Sequence, residues 1–519
     1  MIRRLEVDGV PTLLAATSGP PRAGLTFRVG SADETLARRG ITHLLEHLAL
    51  VRLGLGDHHV NGETSALFTT FHTQAGEDDI ARFLTAVCEN LHDPPVARIE
   101  VEKQILRTEW NSRGVSVDAA VPLWRHGARD HGLSGYPELG LPAITEADLR
   151  RWAAHWFTRE NAVLWIAGDR LPDGLRLPLP HGARRPVPKI SSALPQTPAY
   201  FASGGNAVVL DAVVRHRTAA AVFAGVLERE LYRSLRQEDG LSYTTTTGYQ
   251  WRGDGHAVVR AVADALPEKQ DAVLGGVVDA LATMRVGRIM ENDLAAVVVQ
   301  RTTILDAAEV HAARLPAVAA SLLTGEPSHG VEEIRAELAT VSVADLHEVA
   351  QEVAASALLM VPAGLDAQWA GFAAAPVQSD ESVSGSVHRT HDGEGELVIG
   401  EEGVTLLGPD STQTVRFAAT AALLVWPDGA RHLIGEDAIS VRIEPTLFEP
   451  QPDVVDHLDA RVPVERRIEM PARSPEEIPQ PPPRPNLLVR SVTGLREGLS
   501  ALTAWLSVVM FDAERGGKA

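Results

Sequence analysis

The sequence predicts an α+β chain. Two homologous α/β domains stand in series, each a mixed sheet packed with helices, and a small antiparallel β-domain and a C-terminal helix follow. Three observations predict this. The first 365 residues contain an internal repeat, a Pro-, Gly- and Arg-rich joint separates its two copies, and beyond residue 366 the pattern changes to short alternating strands.

The repeat is clearest at the end of each copy. TEADLRRWAAHWFTRENAVLWIAGD, from Thr145, matches SVADLHEVAQEVAASALLMVPAG, from Ser342, at an offset of 197 positions. Each opens with a capping box, Thr145 with Asp148 and Ser342 with Asp345, which satisfies the free N–H groups of a helix start. Each then runs as an amphipathic helix into an apolar stretch, Ala162–Ala167 or Ala357–Val361, that reads as a buried strand. Upstream, the helical stretches Phe83–Leu91 and Val273–Met284 are each followed by a second helix, Ile99–Asn111 and Ile289–Leu305. The domains therefore span 1–176 and 190–365, joined by LPDGLRLPLPHGARRPVPK.

Residues 366–386 are Ala-, Ser- and Gly-rich and read as a connector. A β-domain over 387–470 follows, with strands in GELVIG, GVTLLG, QTVRFAA, AALLVWPDGARHLIG and ISVRIEP, and with Pro427-Asp428-Gly429 as a hairpin turn. Residues 471–486 form a Pro-rich linker and 487–519 a helical tail. The tail's apolar run, Leu499–Phe511, is too short to span a bilayer. It reads as a docking helix, with a membrane-surface or partner-binding helix as the alternative.

Composition excludes several classes. With 48 Lys+Arg against 68 Asp+Glu, the net charge of −20 argues against a nucleic-acid reader. A single cysteine, Cys88, rules out an intramolecular disulfide framework and Cys-rich metal sites. The 519 residues, 45% hydrophobic and 22% charged, suit a multidomain soluble protein. Glu6, Asp8 and Gly9 interrupt the N-terminal apolar stretch, so it fails as a signal peptide and the expected location is cytoplasmic.

One segment carries chemistry. RRGITHLLEHLALVRLG holds His43, Glu46 and His47. On a helix, i and i+4 share a face, so both imidazoles can address one ion, with Glu46 beside a bound water. The order H-x-x-E-H is the inverted zinc-protease motif. Two core histidines are the alternative reading. IEVEKQILRTEWNS offers Glu102 and Glu109, seven apart and so on one helical face. That face could meet the first helix and supply a third ligand, or be a solvated acidic face.

SADETLARRGITHLLEHLA, HHVNGETSALFTTF, IEVEKQILRTEWNSR and GLSGYPELGLPAITEADL together resemble the successive blocks of the M16 peptidases, over about residues 8–365 and in the family's order. The resemblance implies two M16-type domains and a zinc endopeptidase with one zinc ion per chain. It implies His43, His47 and Glu109 as ligands, Glu46 as general base, Glu102 supporting the site from behind, and Asn61 on substrate backbone. In the second repeat LYRSLRQEDGLSY resembles the family's Arg…Tyr motif, so Arg236 and Tyr243 would contact the substrate carbonyl and the tetrahedral intermediate. It further implies a peptide substrate and a second subunit of M16 type, either an identical chain or a different one. A non-catalytic structural or substrate-presenting subunit is the alternative. The sequence departs from the family after the HxxEH helix, where LALVRLGLGDHH is shorter than usual, and the second repeat's matching helix, Thr218–Gln237, has no HxxEH.

Overall fold

The computed structural model describes residues 1–51, 59–113, 117–453 and 455–481. In the first domain six strands, β1 (Arg3–Val7), β2 (Val10–Ala15), β3 (Arg22–Phe27), β4 (His59–Thr64), β5 (Thr69–Gln74) and β6 (Ala162–Ala167), form one sheet in the order β1-β2-β6-β3-β5-β4. Its helices are α1 (Ile41–Leu50), α2 (Glu77–His92), α3 (Ile99–Arg113), α4 (Val117–His126) and α5 (Glu146–Trp156). β1 and β2 are joined by Asp8-Gly9, both at positive φ (49° and 82°), the backbone that a two-residue hairpin needs. β6 is buried along its whole length, as its unbroken apolar run predicts. Cys88 lies inside α2's apolar face, where burial pushes its thiol pKa up, so it serves as a small core side chain.

The second domain repeats the plan. β7 (Ala199–Ser203), β8 (Ala207–Arg215), β9 (Thr245–Trp251), β10 (His256–Asp264), β11 (Leu358–Pro362) and β12 (Ala373–Ala374) are ordered β12-β7-β11-β8-β10-β9. In both sheets the strand that follows the last helix, β6 after α5 and β11 after α12 (Val343–Ser356), is central. β6 runs parallel to β2 and antiparallel to β3, and β11 runs parallel to β7 and antiparallel to β8. The helices are α6 (Thr218–Leu231), α7 (Gln270–Arg285), α8 (Glu291–Leu305), α9 (Val310–Ala313), α10 (Leu315–Thr324), α11 (Val331–Thr340) and α12 (Val343–Ser356). α6 continues as π-helical turns over Tyr232–Glu238. Both capping boxes form, with Thr145 and Ser342 accepting from the N–H of Asp148 and Asp345.

The two domains exchange helices. Leu315, Val318, Ala319 and Leu323 of α10 pack on Leu13, Val163 and Trp165 of the first sheet. Ala120 and Val121 of α4 pack on Phe201, Val209, Leu358 and Met360 of the second. Arg125 of α4 donates from Nε to Asp211 Oδ1 (2.7 Å), and Arg260 holds the other oxygen (2.9 Å). Asp211 is only 1% exposed, so this pairing satisfies a charge that burial alone would make costly.

Contacts divide the chain into two units, Met1–Lys103 with Val117–Ala375, and Gln104–Ser116 with the chain from Pro376 onward. The cut passes through α3, which is nonetheless one continuous helix. In the second unit β13 (Gly385–Thr390), β14 (Glu396–Gly400), β15 (Gly403–Leu407), β16 (Thr412–Arg416) and β20 (Phe448–Glu449) make one sheet. β17 (Thr420–Val425), β18 (Arg431–Gly435), β19 (Ser440–Ile443) and β21 (Arg467–Glu469) make another. Leu397, Val404, Leu423, Leu433 and Val441 place both sheets on one core. The expected Pro-Asp-Gly turn forms between β17 and β18, with Gly429 at φ +97°.

Two features differ from expectation. β13 begins inside the expected connector; its residues are mostly exposed, so the strand lacks an apolar alternation to announce it. The start of the Pro-rich segment is pinned rather than free. Arg473 donates to Asp428 (2.8 Å) and Glu444 (2.8 Å), and Thr446 Oγ1 donates to the Pro479 carbonyl (2.6 Å). The C-terminal helix expected over 487–519, with Leu499–Phe511, lies outside the described residues. Among the described residues no helix is long and apolar enough to cross a membrane.

Candidate metal centre

Helix α1 carries the motif and is clamped at both ends. Its first turn leaves backbone N–H groups without helical partners. The buried Glu34 carboxylate takes two of them, the N–H of Thr42 (2.9 Å) and of Gly40 (3.0 Å), and also pairs with Arg39 (3.1 Å). A negative group at this end also favours the helix dipole. Burial nevertheless holds the Glu34 carboxyl above its ordinary pKa. Gly40 sits at φ +103°, and a Cβ there would lie 2.9 Å from the Cβ of Glu138, so glycine is required on both counts. At the other end Asn90 of α2 donates to the carbonyls of Ala49 and Val51, each at 3.0 Å.

The helix then presents its chemistry on one face. The His43 and His47 rings stand edge to face with centroids 4.8 Å apart. One ligand atom each from His43, His47 and Glu109 lies within 4.8 Å of the other two. Around a tetrahedral zinc with bonds of 2.0–2.1 Å, donor atoms are about 3.4 Å apart. Side-chain movements on the order of 1 Å therefore bring all three donors to one ion, and two imidazoles with one carboxylate are a donor set that zinc accepts. The residues fit the metal that the motif implies.

The supporting groups are specific. Glu138 Oε1 is 2.8 Å from His43 Nδ1, which leaves Nε2 as the atom facing the centre. Glu102 Oε2 is 3.4 Å from His47 Nδ1, and Arg98, in the turn just before α3, holds the other Glu102 oxygen at 2.9 Å. Glu46 is 4% exposed. Its Oε2 accepts from Thr64 Oγ1 at 3.2 Å and lies 3.7 Å from His43 Nε2. Gly62 of β4 makes room for it: a Cβ at that position would be 2.3 Å from Glu46 Oε1.

Of the residues singled out in the sequence, His43, Glu46, His47, Glu102 and Glu109 come together. Asn61 is exposed on β4, which ends the sheet order opposite β1, and it pairs with His72 of β5. Arg236 and Tyr243 are brought to each other: the guanidinium lies 4.9 Å over the Tyr243 ring and 5.1 Å over that of Tyr232. Among the described residues no contact joins that stack to the metal cluster. Asp264 accepts from Ser242 Oγ (2.6 Å) and from the N–H of Tyr243 (2.9 Å) and Thr244 (2.7 Å), which fixes the loop that presents Tyr243. The shortened loop after α1 falls largely on 52–58, outside the described residues.

Sequence reasoning missed Glu34, Gly62, Thr64, Asn90 and Glu138. Glu138 is 95 positions from His43, and no helical spacing links them. Only the glycines of GYPELG hinted at a tight approach.

No family model matches the chain. The pea (Pisum sativum) chloroplastic stromal processing peptidase is 28% identical over 191 residues, which are 31% of this chain and 15% of that protein. The rice (Oryza sativa subsp. japonica) protein of the same name is 29% identical over 179 residues, 30% of this chain and 14% of that one. The match thus spans about a seventh of the length of these curated relatives. A protease from Helicobacter pylori superposes with a TM-score of 0.59 at 16% identity, covering 70% of this chain and 99% of that one. A peptidase M16 inactive domain from Pseudomonas fluorescens gives 0.55 at 15%, covering 70% and 98%. The fold is that of the M16 peptidases, and in sequence as in fold the chain resembles them.

Proposed function

We propose that this chain, with its M16 peptidase fold, is a zinc-dependent endopeptidase of the cytoplasm that cuts peptides or leader segments of precursors. The observation that carries the reading is the convergence of His43, His47 and Glu109 from two helices, with Glu46 buried beside them. A zinc ion held by those three would supply an acidified water and an electrophile for the scissile carbonyl. Glu46 accepts the water's proton and later delivers it to the leaving amine, with Thr64 fixing the carboxylate for both transfers. Glu138 and Glu102 hold the imidazoles in the tautomer that turns a bare nitrogen to the centre.

The substrate enters as an extended strand along β4. Among the described residues no strand pairs with the other edge of β4, so backbone N–H and C=O groups there are open to a substrate strand. Asn61, exposed on the same strand, contacts the substrate backbone. Arg236 and Tyr243 donate to the oxyanion that develops during attack. A second pair of M16-type domains, from an identical chain or from a partner of the same fold, encloses the peptide.

The alternative, a non-catalytic subunit, has one observation in its favour: one structural neighbour is an inactive M16 domain. Metal content and peptide cleavage of the purified protein, with and without a chelator, decide between the two. We expect one zinc per chain, cleavage that stops on chelation, and a Glu46→Gln variant that keeps its zinc while turnover falls by at least a thousandfold. Unchanged cleavage by Glu46→Gln, or zinc-free protein that cuts peptides, would sink the proposal.

A further inference from the structure

The second domain contains a cavity of about 320 Å³ at which three arginines meet, Arg217, Arg301 and Arg314. Arg217 shares the carboxylate of Glu352 (2.8 Å) with Arg215 (2.7 Å), and its Nη2 is buried without a hydrogen-bond partner. Arg301 donates to the Ala221 carbonyl and Arg314 to the His329 carbonyl. Neither meets a carboxylate within 4.0 Å among the described residues. Burial accordingly draws both guanidinium pKa values down. The one carboxylate lining the cavity, Glu337, is already taken by Thr218 Oγ1 and by His329 (3.0 Å).

Cationic charge is thus in excess at a partly desolvated site, and such charge is costly unless a counter-charge is supplied. Guanidinium forks match the oxygens of phosphate, each offering two parallel donors. Thr218, Tyr249 and Ser321 line the same space, and Thr218 opens the 14-residue helix α6, whose positive end adds to the field. Small-molecule sites run from about 300 Å³ upward, so the cavity takes an oxyanion with room for a small substituent.

We propose that this cavity binds a phosphate-type oxyanion, gripped by Arg301 and Arg314 with Arg217 as the third donor. The site is separate from the metal cluster and goes beyond the peptidase reading. The test titrates the full chain with sodium phosphate against sodium chloride at equal ionic strength, following the heat of binding and the thermal midpoint. Phenyl phosphate and succinate form two further arms. Saturable phosphate binding that raises the midpoint is expected, at least tenfold weaker in Arg301→Gln/Arg314→Gln. A tenfold gain with phenyl phosphate assigns a phosphate ester, and equal affinity assigns the free ion. The double variant keeps the metal ligands, so phosphate binding that survives in it unchanged lies elsewhere and overturns the proposal. No saturable binding, or succinate binding as tightly as phosphate, overturns it too. Should the glutamine pair fail to fold, Arg301→Lys retains the charge and loses the fork, and an unchanged affinity there counts against the site.

Discussion

At the scale of single residues, the proposed zinc centre rests on groups that touch its candidate ligands as well as on those ligands. Glu138 orients His43 through Nδ1, so Glu138→Ala should lower zinc affinity about 10–100-fold, as loss of such supporting carboxylates does. A competition titration of the purified protein against a chromophoric chelator measures this. Unchanged affinity would mean that the 2.8 Å contact does no orienting. Gly62→Ala places a methyl where Glu46 Oε1 now lies, 2.3 Å from the new Cβ. The base must move, so kcat should fall at least tenfold with zinc stoichiometry unchanged. The motif itself was legible because helical periodicity ties His43, Glu46 and His47 together within five residues. Glu138 and Gly62 were not, because they reach the site through tertiary packing across the loop and the sheet.

At the scale of elements, α1 is a helix of 10 residues, too short to hold itself in water, and it is held at both ends by other elements. Glu34→Ala leaves two backbone N–H groups and buried Arg39 short of a partner, a loss of about 3 kcal/mol by the usual cost of breaking a buried pair. A fall in the thermal midpoint of the purified variant checks it. The interface between α4 and the following loop carries a pH dependence. Burial holds His126 at about 3 and His131 at about 4, both below the ordinary histidine value. His126 Nδ1 donates to the Ser191 carbonyl at 2.6 Å, which by itself favours the charged ring, but burial outweighs it and the neutral form is the one the fold uses. The unfolded chain takes up these protons near pH 6.5 and the folded chain only near 3–4. Stability is therefore full above about pH 6.5 and is lost as the pH falls through that window. Urea midpoints between pH 7 and 4 should decline, and less steeply in His131→Asn. The same slope in both would remove His131 from the account.

At the scale of the whole molecule, the exchange of α4 and α10 welds the first two domains into one body, with Trp124 stacked on Phe201 at 4.9 Å and Phe68 on Trp251 at 6.1 Å. That body supplies one M16-type pair, and the proposed chamber needs two. If the second pair is an identical chain, sedimentation equilibrium of the purified protein should give twice 55.7 kDa, and dilution to monomer should lower peptide cleavage in step. Full activity in a species of single mass would argue that one pair suffices. The two-sheet unit after Pro376 stands outside the catalytic proposal.

The amino-acid sequence alone determined the repeat, the two capping boxes, the strand–turn–strand run of the β-domain, and the placing of His43, Glu46 and His47 on one helix face, while Glu102 and Glu109 were named by the family resemblance. These are local patterns, or pairs on one helix face, and periodicity of 3.6 or 2 makes them readable without a partner. Only the tertiary structure decided that Glu109 of one helix reaches the histidines of another, that Glu138 braces His43, and that each domain lends a helix to the other's sheet. Those contacts join residues tens to hundreds of positions apart. The side chains on either side fit many partners, and the packing of the sheets selects one.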